Sequence, residues 1–183
     1  FQLALTKPPV MGSSRMAGHA VVCCGRSKAA QSYHGERERQ GMSSEVVAPT
    51  GTLTLVFSDI QGSTVLWEHF DTDFKAILDL HNRLFRESIQ QFHGYEVKTE
   101  GDAFMVAFQD ASEAVQFCMD IQLKLYDAVW PKALLETPSL KGLSGVSDDG
   151  SFRGLRVRMG AHSGEPEVQI DPTTGRTDYF GPM

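Results

Sequence analysis

Tyr95-Glu-Val-Lys98-Thr-Glu-Gly-Asp102-Ala-Phe-Met-Val-Ala-Phe108 is the stretch that decides the fold. Tyr95–Thr99 reads as one strand and Ala103–Phe108 as its antiparallel partner. Glu100-Gly101-Asp102 joins them, and Gly-Asp is a common hairpin turn pair. Upstream, Leu53, Leu55 and Phe57 alternate with Thr54, Val56 and Ser58, the period of a strand. Helical spacing follows through Leu66, Phe70, Phe74, Ile77, Leu78, His81, Leu84, Phe85, Ile89 and Phe92. Asp71-Thr72-Asp73 divides it into two pieces or kinks it, and Gly94 closes it as glycine often closes a helix. Downstream, Asp110-Ala-Ser-Glu113 resembles a capping box. It opens a helix with Ala114, Cys118, Ile121, Leu125 and Val129 on one face, which Trp130-Pro131 stops.

Residues 131–154 read as a long polar loop, a surface insertion in a compact domain. Leu155-Arg-Val157-Arg-Met159 alternates as a strand. Val168, Ile170, the turn Asp171–Gly175 and Thr177–Phe180 suggest a last hairpin. The order β-α-β-β-α-β with an added hairpin is an α+β, ferredoxin-like sandwich of helices on an antiparallel sheet.

Length and composition fit a single domain with a tail: 183 residues, 41% hydrophobic and 22% charged. Residues 1–50 lack any sustained period and read as a disordered leader or linker, leaving 51–183 as the domain. Charge divides the same way, +3 over residues 1–50 and −9 over the remainder of a chain of net charge −6. An acidic domain is a poor nucleic-acid binder, because that affinity rests on phosphate neutralisation. A single nucleotide remains a suitable partner if cations supply the charge. No apolar run is long enough to span a bilayer. Cys23, Cys24 and Cys118 form no disulfide framework, which points to a reducing compartment.

Two carboxylates carry the chemistry. Asp59 ends the first strand, and Gln61-Gly62-Ser63-Thr64 opens the helix behind it, where free backbone N–H groups suit a phosphate. Gly62 allows close backbone approach. Taken alone, Asp59 and Ser63 would simply cap that helix. The hairpin, however, returns Asp102 beside the first strand, and two adjacent carboxylates repel unless a cation compensates. Paired divalent cations on such carboxylates are a device for displacement at phosphorus. Lys98 and Asp178 read as ordinary polar sheet and hairpin residues, His162 as a structural histidine and His81 as a packed core residue.

Phe57-Ser-Asp59-Ile60-Gln-Gly62-Ser63-Thr64, Tyr95–Met105, Arg156-Val-Arg-Met-Gly160-Ala-His-Ser-Gly164 and Asp178-Tyr-Phe-Gly181-Pro182, in that order, resemble the class III nucleotidyl cyclase catalytic domain. The wording looks most like the fungal adenylate cyclases, over roughly residues 50–183. The resemblance implies that Asp59 and Asp102, with the Ile60 carbonyl, bind two Mg²⁺ or Mn²⁺. It implies that the backbone of Gly62, Ser63 and Thr64 holds the β- and γ-phosphates. It assigns Lys98 and Asp178 to the purine, Lys98 donating to adenine N1 and Asp178 accepting from the N6 amine. Guanine presents the opposite pattern, so the pair favours ATP over GTP.

The implied reaction turns ATP into 3′,5′-cyclic AMP and pyrophosphate by in-line attack of the 3′-oxygen on the α-phosphate. The resemblance also implies a head-to-tail homodimer. Asp59 and Asp102 of one chain share a site with Lys98 and Asp178 of the other. Upstream regulatory domains or activators, and a cytoplasmic location that is peripheral at a membrane through other parts of the protein, belong to the same expectation. In the family, the Phe-Gly-Pro stretch runs on to an asparagine for the ribose and an arginine for the transition state. This sequence ends at Met183, so the expectation is a fragment with little or no activity alone. Competing readings are a guanylate cyclase, a catalytically silent regulatory or dimerisation module, and a two-metal nuclease or polymerase palm. Lys98 and Asp178 disfavour the first, the retained aspartates the second, and the acidic surface the third.

Overall fold

A computed structural model describes residues 21–23 and 46–181. Among the described residues, nine strands and four α-helices occur in the order β1 (Val21–Cys23), β2 (Leu53–Ile60), α1 (Ser63–Phe70), α2 (Thr72–Gln91), β3 (Tyr95–Glu100), β4 (Ala103–Phe108), α3 (Ala111–Asp127), α4 (Lys132–Glu136), β5 (Ser144–Val146), β6 (Arg153–Leu155), β7 (Val157–Gly164), β8 (Glu167–Ile170) and β9 (Thr177–Phe180). The main sheet runs β1-β7-β2-β4-β3, antiparallel at every pairing. Without β1 this is the ferredoxin-like order expected from the sequence. Val21–Cys23, inside the segment read as leader or linker, pairs with Met159–Ala161 as an edge strand. The rest of residues 1–45 lies outside the described residues.

Strand alternation sorts the sheet into two faces. Val56, Ile60, Phe104, Val106, Phe108, Val157 and Met159 meet Phe74, Ile77, Phe85, Phe117 and Ile121 of α2 and α3 in the main core. On the opposite face, Leu53, Leu55, Val97, Met105, Ala107 and Tyr179 form a smaller cluster, roofed by β9. Apolar burial on the helix-covered face is the main source of stability, at roughly 25 cal/mol per Å² removed from water. His81 is fully buried there, its ring tilted 40° against Phe85 at a centroid distance of 4.4 Å, as the reading of a packed histidine requires.

Of three local features, the first follows the sequence reading and the other two depart from it. The helical run does break at Asp71, whose φ of 46° separates α1 from α2. The capping box of α3 is only half formed: Asp110 accepts from the Ser112 amide, while Glu113 bonds His93 Nδ1 at 3.0 Å instead of reaching back. The segment 131–154 is not a polar loop. It contains α4, a 3-10 turn (Pro138–Leu140) and the β5–β6 hairpin, and it buries Leu134 and Leu140 in the main core. Its leucines are too scattered to show a period, so burial was hidden in the composition. Gly154 is required by this insertion, since a Cβ there would lie 2.0 Å from Trp130 Nε1.

Candidate active site

β2 delivers Asp59 to the rim of the sheet on the open face, one alternation beyond Leu53, Leu55 and Phe57. The chain then turns through Gly62, at φ 69° and ψ 30°, into α1. No side chain caps α1, so neither Asp59 nor Ser63 plays the capping role open to it in the sequence. An uncapped helix start presents amide N–H groups and a partial positive charge, a fit for phosphate oxygens. The insertion holds this turn from behind. The Gln61 amide donates to the Arg156 carbonyl at 2.8 Å, and the Arg156 amide donates to the Leu143 carbonyl at 3.1 Å. Leu143 packs where a Gly62 Cβ would stand, its methyls 2.8 Å from that position.

Asp102 occupies the two-residue turn between β3 and β4, with Gly101 taking the positive φ of 64°. β2 and β4 cease pairing at Ser58 and Phe104. Just beyond, Asp102 Oδ2 accepts from the Ile60 amide at 2.7 Å. A carboxylate thus replaces a ladder acceptor and ties the hairpin turn to the end of β2. Asp59 and Asp102 are thereby brought to one rim, as the strand order implied.

Arg158 is the site residue that sequence reasoning missed. It lies directly opposite Asp59 in the β2–β7 register. Its Nε donates to Asp59 Oδ1 at 2.9 Å, and its Nη2 to Asp59 Oδ2, a bidentate fork. The hydrogen bond to Asp59 and the charges of Asp59 and Asp102 together push the guanidinium pKa above its ordinary value. Strand alternation already put Arg158 on the polar side of Leu155–Met159. The register that aims it at Asp59 is set between strands about a hundred residues apart in sequence, where no local signal exists.

These residues suit a hard divalent cation. The donor set is two carboxylates at one rim, and the guanidinium beside them already stands in as a cation. Among the described residues no group of three or more His, Cys, Asp or Glu side chains forms a closed cage. An open pair is what Mg²⁺ takes where substrate phosphates complete the shell.

Lys98 and Asp178 meet on the same open face. A β-bulge between Glu96 and Lys98 lets both Val97 and Lys98 point there, and Lys98 pairs with Met105. Lys98 Nζ lies 2.8 Å from Asp178 Oδ2, while Asp178 Oδ1 accepts from the Tyr179 amide at 2.8 Å. The β8–β9 hairpin that carries Asp178 is anchored at three points. Tyr95 Oη accepts from the Thr177 amide at 3.1 Å, Arg176 lies over the Tyr95 ring, and buried Tyr179 donates its hydroxyl to the Pro49 carbonyl at 2.8 Å. Burial and neighbouring Tyr95 push the Tyr179 phenol up to about 12, so it remains a donor. Burial alone would raise Glu96, but bonds from Arg86 and Thr99 and the charge of Arg176 hold it below the usual range. Between β3 and this hairpin opens a cavity of about 330 Å³, lined by Lys98, Thr99, Asp171, Arg176, Thr177 and Asp178 among others. His162 lies on β7 opposite Leu55, away from both groups in the register.

Known proteins resemble this chain in sequence and fold. Residues 45–183 match the family model described as the adenylate and guanylate cyclase catalytic domain. An adenylate cyclase of Neurospora crassa is 44% identical over 142 residues, covering 78% of this chain but 6% of that protein. One of Schizosaccharomyces pombe is 40% identical over 142 residues, covering 78% of this chain and 8% of the relative. The chain therefore spans less than a tenth of the length of these fungal relatives. A solved adenylate cyclase domain of Trypanosoma brucei, described in its monomeric state, superposes with a TM-score of 0.64 at 32% identity, covering 74% of this chain and 65% of that one. With its ferredoxin-like sheet and both aspartates at one rim, this chain belongs to the adenylate and guanylate cyclase catalytic-domain family, with the fold of a class III cyclase.

Proposed function

We propose that this domain is an adenylate cyclase that converts ATP to 3′,5′-cyclic AMP and pyrophosphate. The observation that carries the choice of nucleotide is the Lys98–Asp178 contact at 2.8 Å beside a cavity on the open face. An ammonium and a carboxylate so paired present one donor and one acceptor, matching adenine N1 and N6. Guanine would leave both unmatched, and unpaired buried polar groups discriminate strongly between substrates. The kinship with adenylate cyclases supports the same nucleotide.

Asp59 and Asp102, with the Ile60 carbonyl, hold two Mg²⁺ or Mn²⁺ at the rim. When bound, these ions lower the pKa of the ribose 3′-hydroxyl and neutralise the triphosphate. Gly62, Ser63 and Thr64 direct backbone N–H groups at the β- and γ-phosphates, which orients the α-phosphorus for in-line attack by the 3′-oxygen. Asp102, fixed by the Ile60 amide, keeps the carboxylate pair in register as charge develops. Pyrophosphate leaves from the side of the Gly62 turn.

The working unit is a head-to-tail homodimer in which Lys98 and Asp178 of one chain serve Asp59 and Asp102 of the other. Exposed apolar side chains support it: Phe57 on β2, 52% accessible, and Val168, Ile170 and Phe180 on the β8–β9 hairpin. Upstream regulatory domains and activators act on this unit in the longer protein. The test is nucleotide binding with Mn²⁺ to the wild type and to Lys98→Glu combined with Asp178→Ser, which exchanges donor for acceptor. The wild type should prefer ATP at least tenfold and the double variant should shift towards GTP. Equal affinity of the wild type for the two nucleotides would refute the adenine assignment.

A further inference from the structure

We propose that Arg158 is a counter-ion that holds Asp59 before metal arrives, so that the guanidinium and the divalent cation compete for one carboxylate. This rests on the reading of Asp59 and Asp102 as the metal-binding pair. Both Asp59 oxygens are occupied by the Arg158 fork, Nε at 2.9 Å from Oδ1 and Nη2 against Oδ2. Each oxygen keeps one lone pair outside the fork, so a cation that takes an Asp59 oxygen competes with the guanidinium for the charge of the carboxylate. Asp102 is held differently, by a neutral backbone amide that need not leave.

The pair is built to open. The Arg158 and Asp59 side chains are 55% and 41% exposed, and ion pairs so accessible are weakly held because water screens them. The register nevertheless fixes the partners, since Arg158 and Asp59 are directly opposed on neighbouring strands. Without metal the guanidinium offsets the repulsion between Asp59 and Asp102. With metal it becomes a like charge beside the bound cation. A unit positive charge and a divalent cation about 4 Å apart in water change a binding constant about thirtyfold. Arg158 is thus a positioning residue with opposite effects on the two states: it stabilises the metal-free site and weakens metal binding.

The opposite signs give the test. Mn²⁺ alone, without nucleotide, is titrated into the whole chain and free Mn²⁺ is read by electron paramagnetic resonance, with melting in EDTA and in Mn²⁺ alongside. Arg158→Gln should bind Mn²⁺ about thirtyfold more tightly, melt lower in EDTA, and gain more from Mn²⁺ than the wild type. Arg158→Met, which keeps the aliphatic stem, should behave likewise, and Arg158→Lys should lie nearer the wild type. Asp59→Asn should weaken Mn²⁺ binding. If both Arg158 variants bind Mn²⁺ no more tightly than the wild type while Asp59→Asn weakens it, the counter-ion role is overturned and the metal pair stands. If Asp59→Asn has no effect on Mn²⁺ binding, the metal reading itself fails and the counter-ion role falls with it.

Discussion

Gly62→Ala strikes the joint between the phosphate turn and the insertion. Gly62 sits at φ 69°, and an L-residue there costs about 1–2 kcal/mol. The new Cβ would stand 2.8 Å from both Leu143 methyls, closer than carbon atoms tolerate. Those methyls end a flexible side chain, so the added strain falls at the low end of the overpacking range, about 1 kcal/mol. The sum is about 2–3 kcal/mol, which at a urea slope of about 1.5–2 kcal/mol per M lowers the unfolding midpoint by about 1–2 M. Chemical denaturation of the wild type, Gly62→Ala, Leu143→Ala and the double variant measures it. The double variant should recover the steric part only, giving a coupling of about 1 kcal/mol between the two positions. Gly62→Ala within about 0.5 kcal/mol of the wild type would refute the reasoning. The same variant should lose triphosphate affinity, since relief of the clash with Leu143 shifts the turn whose backbone N–H groups would meet the β- and γ-phosphates.

Other perturbations follow from the same packing. Gly154→Ala sets a Cβ 2.0 Å from Trp130 Nε1 at φ 98°, and neither backbone nor indole has room to yield. Soluble yield and melting temperature should both fall, with a loss of at least about 3 kcal/mol. Burial lowers the His81 pKa from 6.5 to about 4, against smaller raising effects of Asn82 and Asp102. The unfolded chain therefore binds more protons between those values. Stability from neutral His81 is complete above about pH 6.5 and declines as the pH falls towards 4, by about 2 kcal/mol between pH 7 and pH 5. His81→Phe should flatten that part of the urea-denaturation pH profile; an unchanged profile would show that His81 does not titrate in this range.

What was legible in the sequence was local. Alternation through Leu53, Leu55 and Phe57 placed Asp59 at a strand end, and the break at Asp71 separated the two helices. The turn at Gly101-Asp102 was legible because glycine relieves a positive φ within two residues. What escaped depended on distant segments. The partner of Asp59 is decided by the β2–β7 register, and the facing of Lys98 by a bulge that no residue type announces. The insertion hid its fold because Leu134, Leu140 and Leu143 reach one core from a short helix, a 3-10 turn and the turn after it, so their spacing carries no period. The second half of the capping box failed because His93, positioned by the end of α2, reaches Glu113 first.

Subunit mixing tests the shared site most directly. Asp59→Asn removes the metal side, and Lys98→Glu with Asp178→Ser removes the adenine side. Each variant alone should fail to bind ATP with Mn²⁺ in a calorimetric titration. Mixed in equal amounts, they should regain ATP binding in about a quarter of the sites, because random pairing makes half the dimers mixed and leaves one intact site in each. A mixture that binds no more ATP than its components would contradict a site built from two chains.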